Sequence, residues 1–250
     1  MNHNRYYTLD TLRGFALINM LAFHTCYDLV MIFGVEWPFF HTKGAFYWQQ
    51  MICLLFILIS GCVASFSTHL LKHGLMVFGT GMLMTLVTYI VMPEQVIWFG
   101  VLHLLGVSMI LVSLGQPLLH KIPKIIGMTV SFLLFITLRY IDEGTLNFFG
   151  YRYLTLPERW YESGKLFFLG FPNQYFFSAD YFPVLPWLFL YLTGYFFFTF
   201  IKERNNAWYL YVKVPGLSFV GRHTFIVYLL HQPVIYGILY LLFDVLKILS

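Results

Sequence analysis

The chain reads as an all-α fold: a polytopic membrane helical bundle of about seven transmembrane helices with its N-terminus in the cytoplasm. Three observations predict this. Of 250 residues, 59% are hydrophobic and only 10% charged, where a soluble domain carries roughly 25% charged residues. Mean hydropathy is +0.73, more apolar surface than a water-soluble fold can cover. The apolar residues also fall into separate stretches, each near the ~20 residues that a spanning helix needs.

In order, the predicted spans are 9–33, 47–68, 74–92, 96–115, 123–141, 181–201 and 219–246. The third contains Gly79-Thr80-Gly81, too short for a nucleotide fingerprint and read as helix packing. In the fourth, Gly100 and Gly106 flank His103 and allow close helix approach. Pro183 and Pro186 suit the first turns of the sixth span, and Pro233 bends the last. The connection 142–180 is long and aromatic, with a short interfacial helix expected within 156–171. Connections of this length are usually functional. No internal repeat, low-complexity tract or second domain is visible, so residues 1–250 are read as one transmembrane domain. The first span is polar at its start and no cleavage site follows it, so it is expected to be retained.

With the N-terminus inside, Arg5, Arg13, Lys72, Lys121, Lys124, Lys202, Arg204, Lys213 and Arg222 all fall on the cytoplasmic side. The short outer loops hold Lys43. Arg152, Arg159 and Lys165 share the one long outer segment, which weighs less. The positive-inside rule therefore predicts N-in, C-out. The net charge of +4 follows this topology and does not indicate nucleic acid. Cys26, Cys53 and Cys62 have neither zinc nor redox spacing. Cys53 and Cys62 project to opposite faces of one helix and cannot pair. No metal is expected.

The first span raises the functional question. At 100° per residue, with Asp10 at zero, Arg13 falls at about 300°, His24 at about 320° and Asp28 at about 0°. Four ionisable side chains thus share one narrow stripe, while Asn19 falls opposite. A charged side chain at mid-membrane costs roughly 2.5–3.5 kcal/mol, so such groups persist when paired or when they line a pathway. Asp10 and Arg13 are spaced to pair, as are His24 and Asp28. A carboxylate on one imidazole nitrogen leaves the other as an acceptor, the equipment of a general base. Arg13 and His24 lie about 16 Å apart along the axis, a distance suited to a long substrate with an anionic head. The alternative is structural: an interfacial ion pair and a satisfied interhelical polar pair.

Other candidates carry two readings each. His103 is a packed, hydrogen-bonded core residue or a substrate contact. Asp180 is an N-cap carboxylate or an acceptor contact at the outer mouth. His231 and Gln232 satisfy the carbonyl freed by Pro233 or line a substrate path. Arg222 sets topology or binds an anion.

At these residues the sequence resembles the heparan-alpha-glucosaminide N-acetyltransferase catalytic-domain family in its short bacterial form, within the transmembrane acyltransferase superfamily. The segment LDTLRGFALINMLAFHTCYDL (9–29) carries that group's Arg, ten residues, His signature as Arg13 and His24. Further matches are LFILISGCVASFS (55–67), FGVLHLLGVSMIL (99–111), SADYFPVLPWLFLYLTGYFF (178–197) and LSFVGRHTFIVYLLHQPV (217–234). The resemblance implies transfer of an acetyl group from cytoplasmic acetyl-CoA to an extracytoplasmic sugar amine or hydroxyl. It makes His24 and Asp28 catalytic, and Arg13, Asp10 and Arg222 donor-binding. His41, His103, Asp180, His231 and Gln232 become acceptor contacts. Eukaryotic members carry Asn at the place of His24 and a catalytic His in the following loop, so His41 is the competing base. His24 is preferred because Asp28 lies within its reach. The implied partners are the acyl-CoA donor, a glycan or amino-sugar acceptor, cell-membrane lipid and a second copy of the chain as a homodimer. A second function class, a proton-coupled small-molecule transporter, would use the same His24/Asp28 pair. The lack of inverted repeats argues against it. A sensor or scaffold leaves the stripe without a purpose.

Overall fold

A computed structural model describes residues 5–204 and 208–245. Its helices are α1 (Tyr7–Tyr27), α2 (Lys43–Ala64), α3 (Leu70–Val91), α4 (Val101–Leu119), α5 (Lys124–Leu138), α6 (Arg159–Glu162), α7 (Val184–Ile201), α8 (Pro215–Arg222) and α9 (Thr224–Tyr240). Among the described residues, seven helices are long and apolar enough to cross a membrane, in the predicted order.

The differences are local and have local causes. The predicted last span, 219–246, is two helices. Pro215 sits at the first helical position of α8, as proline prefers, and the backbone leaves helical geometry at His223 before α9 begins. Residue 246 lies outside the described residues. The sixth span starts at Val184 rather than 181, because residues 179 and 182 donate backbone hydrogen bonds to Val96 and Phe99. The long connection holds an antiparallel hairpin, β1 (Thr145–Phe148) with β2 (Tyr151–Thr155), that hydropathy does not reveal. Its expected interfacial helix is reduced to α6 and a single 3-10 turn at Phe167–Leu169.

The chain forms two compact units. The first comprises Met1–Ile59 and Asn205–Ser250, the second Ser60–Arg204. In the first, α8 crosses α1 at two glycines. A Cβ on Gly14 would overlap the Leu217 carbonyl, and one on Gly221 would overlap that of Asp10. Only glycine permits such backbone contact. Leu17, Met20 and Phe23 of α1 pack with Phe40, Ala45 and Ile52, and Trp48 Nε1 donates to Asn19 Oδ1 at 3.0 Å. In the second unit, α3 lies against α4, where a Cβ on Gly106 would meet the Phe78 backbone. α7 is the most buried spanning helix there, with Tyr191, Tyr195 and Phe198 enclosed.

Candidate active site

α1 keeps α-helical bonding through Tyr27 and then widens into a π-turn, Asp28–Ile32, in which the Phe33 N–H donates to the Asp28 carbonyl at 3.0 Å. Such turns are frequent at functional sites. Asp28 opens this turn and is wholly enclosed, at 0% exposure.

Its side-chain partner differs from expectation. Gln232 Nε2, on α9, donates to Asp28 Oδ1 at 2.8 Å, and no side-chain hydrogen bond joins Asp28 to His24 among the described residues, although the Asp28 N–H donates to the His24 carbonyl. The His24 ring instead lies against His231, with centroids 4.7 Å apart. The helix wheel placed both side chains on one face. That face meets α9, which supplies an amide for the carboxylate and an imidazole for the imidazole.

Two of these partners have fixed chemistry. His231 Nδ1 lies 2.5 Å from the Tyr228 carbonyl oxygen. A carbonyl only accepts, so Nδ1 carries the proton and Nε2 holds a lone pair. Gln232 spends its amide nitrogen on a carboxylate, so Oε1 is its remaining acceptor. Three buried atoms in this cluster have no partner among the described residues: Asp28 Oδ2, Gln232 Oε1 and His231 Nε2. Each such atom costs about 1–3 kcal/mol. All three are hydrogen-bond acceptors.

At the other end of α1, Asp10 pairs with Arg5 at 2.6 Å rather than with Arg13. Arg5 precedes the helix and can swing over its first turn, whereas Arg13 is fixed on the helix. Thr8 receives the Val212 N–H at 3.1 Å, and Lys213 stands 5.2 Å from the Tyr7 ring centre. Arg222 follows Gly221, which presses on Asp10, and donates to the Ser218 carbonyl at 3.3 Å. Arg5, Arg13, Lys213 and Arg222 thus accompany the start of α1 with one carboxylate among them. Beyond the cluster, Ile32, Gly34, Tyr236 and Phe243 line a cleft of about 650 Å³ in the same unit. The order along α1 is cations, polar cluster, cleft.

His41 ends an exposed 3-10 turn, Pro38–His41; Phe40, not His41, enters the core against Phe23. In the second unit His103 is buried. Its ring stacks on Phe99 at 5.4 Å, with Nε2 3.4 Å from Thr85 Oγ1. Asp180 caps a helix, but not its own. Its Oδ2 accepts the Val101 N–H at 3.0 Å, at the start of α4. Desolvation pushes this carboxyl up from 3.8 to about 6, against the opposing pull of Val101. The folded state therefore favours the protonated form. That contribution is complete below about pH 4 and is lost as pH rises through about 6. Asp180→Asn keeps an acceptor and removes the charge. Its melting temperature is expected to exceed the wild type's at pH 7, and the gap to narrow as pH falls and to close below about pH 4, in paired thermal melts. A constant gap would contradict this.

Sequence reasoning missed Arg5 and Lys213 as companions of Arg13, although Arg5 stands five residues from Asp10. The expected bond from His231 to a backbone carbonyl near Pro233 is present, but to Tyr228, one residue before the position that Pro233 frees.

Residues 5–233 match the family described as heparan-alpha-glucosaminide N-acetyltransferase, catalytic. The chain belongs to that family. No curated protein and no solved structure matches it. As a member of this N-acetyltransferase family with seven spanning helices, it is a multi-pass membrane protein of acyltransferase type. The matched region takes in His24, Asp28, His231 and Gln232 and ends at Pro233. No group of three or more His, Cys, Asp or Glu side chains is placed to hold a metal ion among the described residues.

Proposed function

We propose that this family member transfers an acetyl group from acetyl-CoA, bound at the cytoplasmic face of the cell membrane, to the primary amine of an extracytoplasmic sugar. The observation that carries the choice of amine is the set of three buried acceptors, Asp28 Oδ2, Gln232 Oε1 and His231 Nε2. A primary ammonium brings three N–H donors and a charge that Asp28 balances. A hydroxyl brings one donor and none.

The donor end fits a polyanion. Arg5, Arg13, Lys213 and Arg222 would hold the phosphates of acetyl-CoA, and Asp10 fixes Arg5 through their ion pair. Arg13 to His24 spans about 16 Å of helix, room for the pantetheine arm to bring the thioester beside His24. The acceptor would come through the cleft beyond Asp28. His24 then acts as the base for the attacking nitrogen. His41, His103 and Asp180 are not needed for this step. This reading takes the N-terminus as cytoplasmic, and one chain holds every group named.

The test is transfer from labelled acetyl-CoA by purified protein to glucosamine and to N-acetylglucosamine, which offers hydroxyls only. Label is expected on glucosamine alone. Acetyl-CoA is also expected to raise the melting temperature saturably, more than AMP does, with a smaller rise in Arg13→Ala. Label on N-acetylglucosamine at an equal rate would end the amine reading. Absence of both transfer and stabilisation would end the acyltransferase reading.

A further inference from the structure

We infer that His231 is a second catalytic residue, which takes the first proton from the acceptor ammonium before His24 takes the second. The inference rests on the amine reading above. An ammonium cannot attack a thioester until it loses a proton, and the nitrogen must lose another as it becomes an amide. One base cannot hold both protons, and the site places two imidazoles in contact, 4.7 Å between centroids.

His231 suits the first transfer. The Tyr228 carbonyl holds its proton on Nδ1, so the Nε2 lone pair, buried and without a partner, is the ring's one site for a new proton. His24 from α1 lies against it and the ring centre of Tyr228, on its own helix, is 5.4 Å away, while the carboxyl of Asp28 is held by the neighbouring Gln232. The ammonium enters beside the Asp28 carboxylate. Passing its proton to His231 moves the positive charge within the cluster and creates no new charge in a medium where charge is costly.

The steps balance. R–NH3⁺ gives one proton to His231 Nε2 and becomes R–NH2. The amine lone pair forms the C–N bond to the thioester carbonyl carbon. The C–S bond breaks with its electrons on sulfur. The second nitrogen proton passes to His24 and from there to the sulfur. The products are the acetamide, CoA thiol and one proton, which His231 releases as the product leaves. A hydroxyl acceptor would need only His24.

The experiment uses the full chain, acetyl-CoA and glucosamine, with His231→Asn, His231→Gln and His24→Ala beside the wild type. Assays at about pH 6 and about pH 9 bracket the ordinary range of such an amine. At the lower pH glucosamine arrives charged; at the higher pH water has already removed the first proton. Both His231 variants are expected to fall roughly 100-fold below wild type at about pH 6 and to come within a few-fold of it at about pH 9. His24→Ala stays low at both. Stabilisation by acetyl-CoA equal to wild type shows that each variant is folded. Two folded His231 variants with the same deficit at both pH values, or with none at the lower, would overturn the inference and leave amine transfer standing. If the wild type acetylates no amine at either pH, the amine reading falls and this inference falls with it.

Discussion

His24→Ala is expected to lower the acetyl-transfer rate at least about 100-fold, the usual contribution of a positioned general base, while the folded protein is still stabilised by acetyl-CoA. The reason is position. His24 lies against His231, within the cluster that also holds Asp28 and Gln232, some 16 Å of helix beyond Arg13. The loop histidine gives the contrast. His41 is exposed at the end of its 3-10 turn, and His41→Ala is expected to keep at least about half of the wild-type rate, outside the range a general base commands. Reversal of the two results, with both variants folded, would move the base into the loop.

Gln232→Leu is expected to destabilise the first unit. It strips Asp28 of its 2.8 Å donor and leaves a fully enclosed carboxylate without a partner on either oxygen. Losing a buried hydrogen bond to a charged group costs about 1.5–3 kcal/mol, whereas replacing both partners with apolar residues of similar shape is often nearly neutral or stabilising. The double variant Asp28→Leu/Gln232→Leu is therefore expected to regain the stability that Gln232→Leu loses, and to remain inactive. Thermal melts in detergent of the two single variants and the double variant measure the coupling. A Gln232→Leu protein that melts with the wild type would show that the hydrogen bond holds nothing.

Much of this was legible in the sequence. Spanning helices follow from hydropathy, because the membrane interior forces each backbone to satisfy itself. The polar stripe on α1 follows from angular spacing alone. The partners do not follow. Asp28 is met by a residue on α9, and a helix wheel contains no information about the neighbouring helix. Asp10 pairs backward with Arg5 rather than forward with Arg13, a choice made by side-chain reach at a helix end. The break at His223 coincides with the polar pair Arg222-His223, which hydropathy alone reads as the charged cytoplasmic end of a single span. Asp180 looked like the cap of the helix that follows it and caps α4 instead, because the chain before α7 runs beside residues 96–99. The hairpin in the long connection has strands too short to leave a pattern.

The first unit is assembled from the two ends of the chain, Met1–Ile59 and Asn205–Ser250. Asp28 and Gln232 are 204 residues apart. During synthesis at about 5–20 residues per second, the carboxylate therefore waits roughly 10–40 s for its partner. Over that interval α1 lies in the bilayer with a buried-to-be charge and no α9 to receive it. A ribosome that stops before residue 232 therefore releases a chain whose first helix is still unmatched.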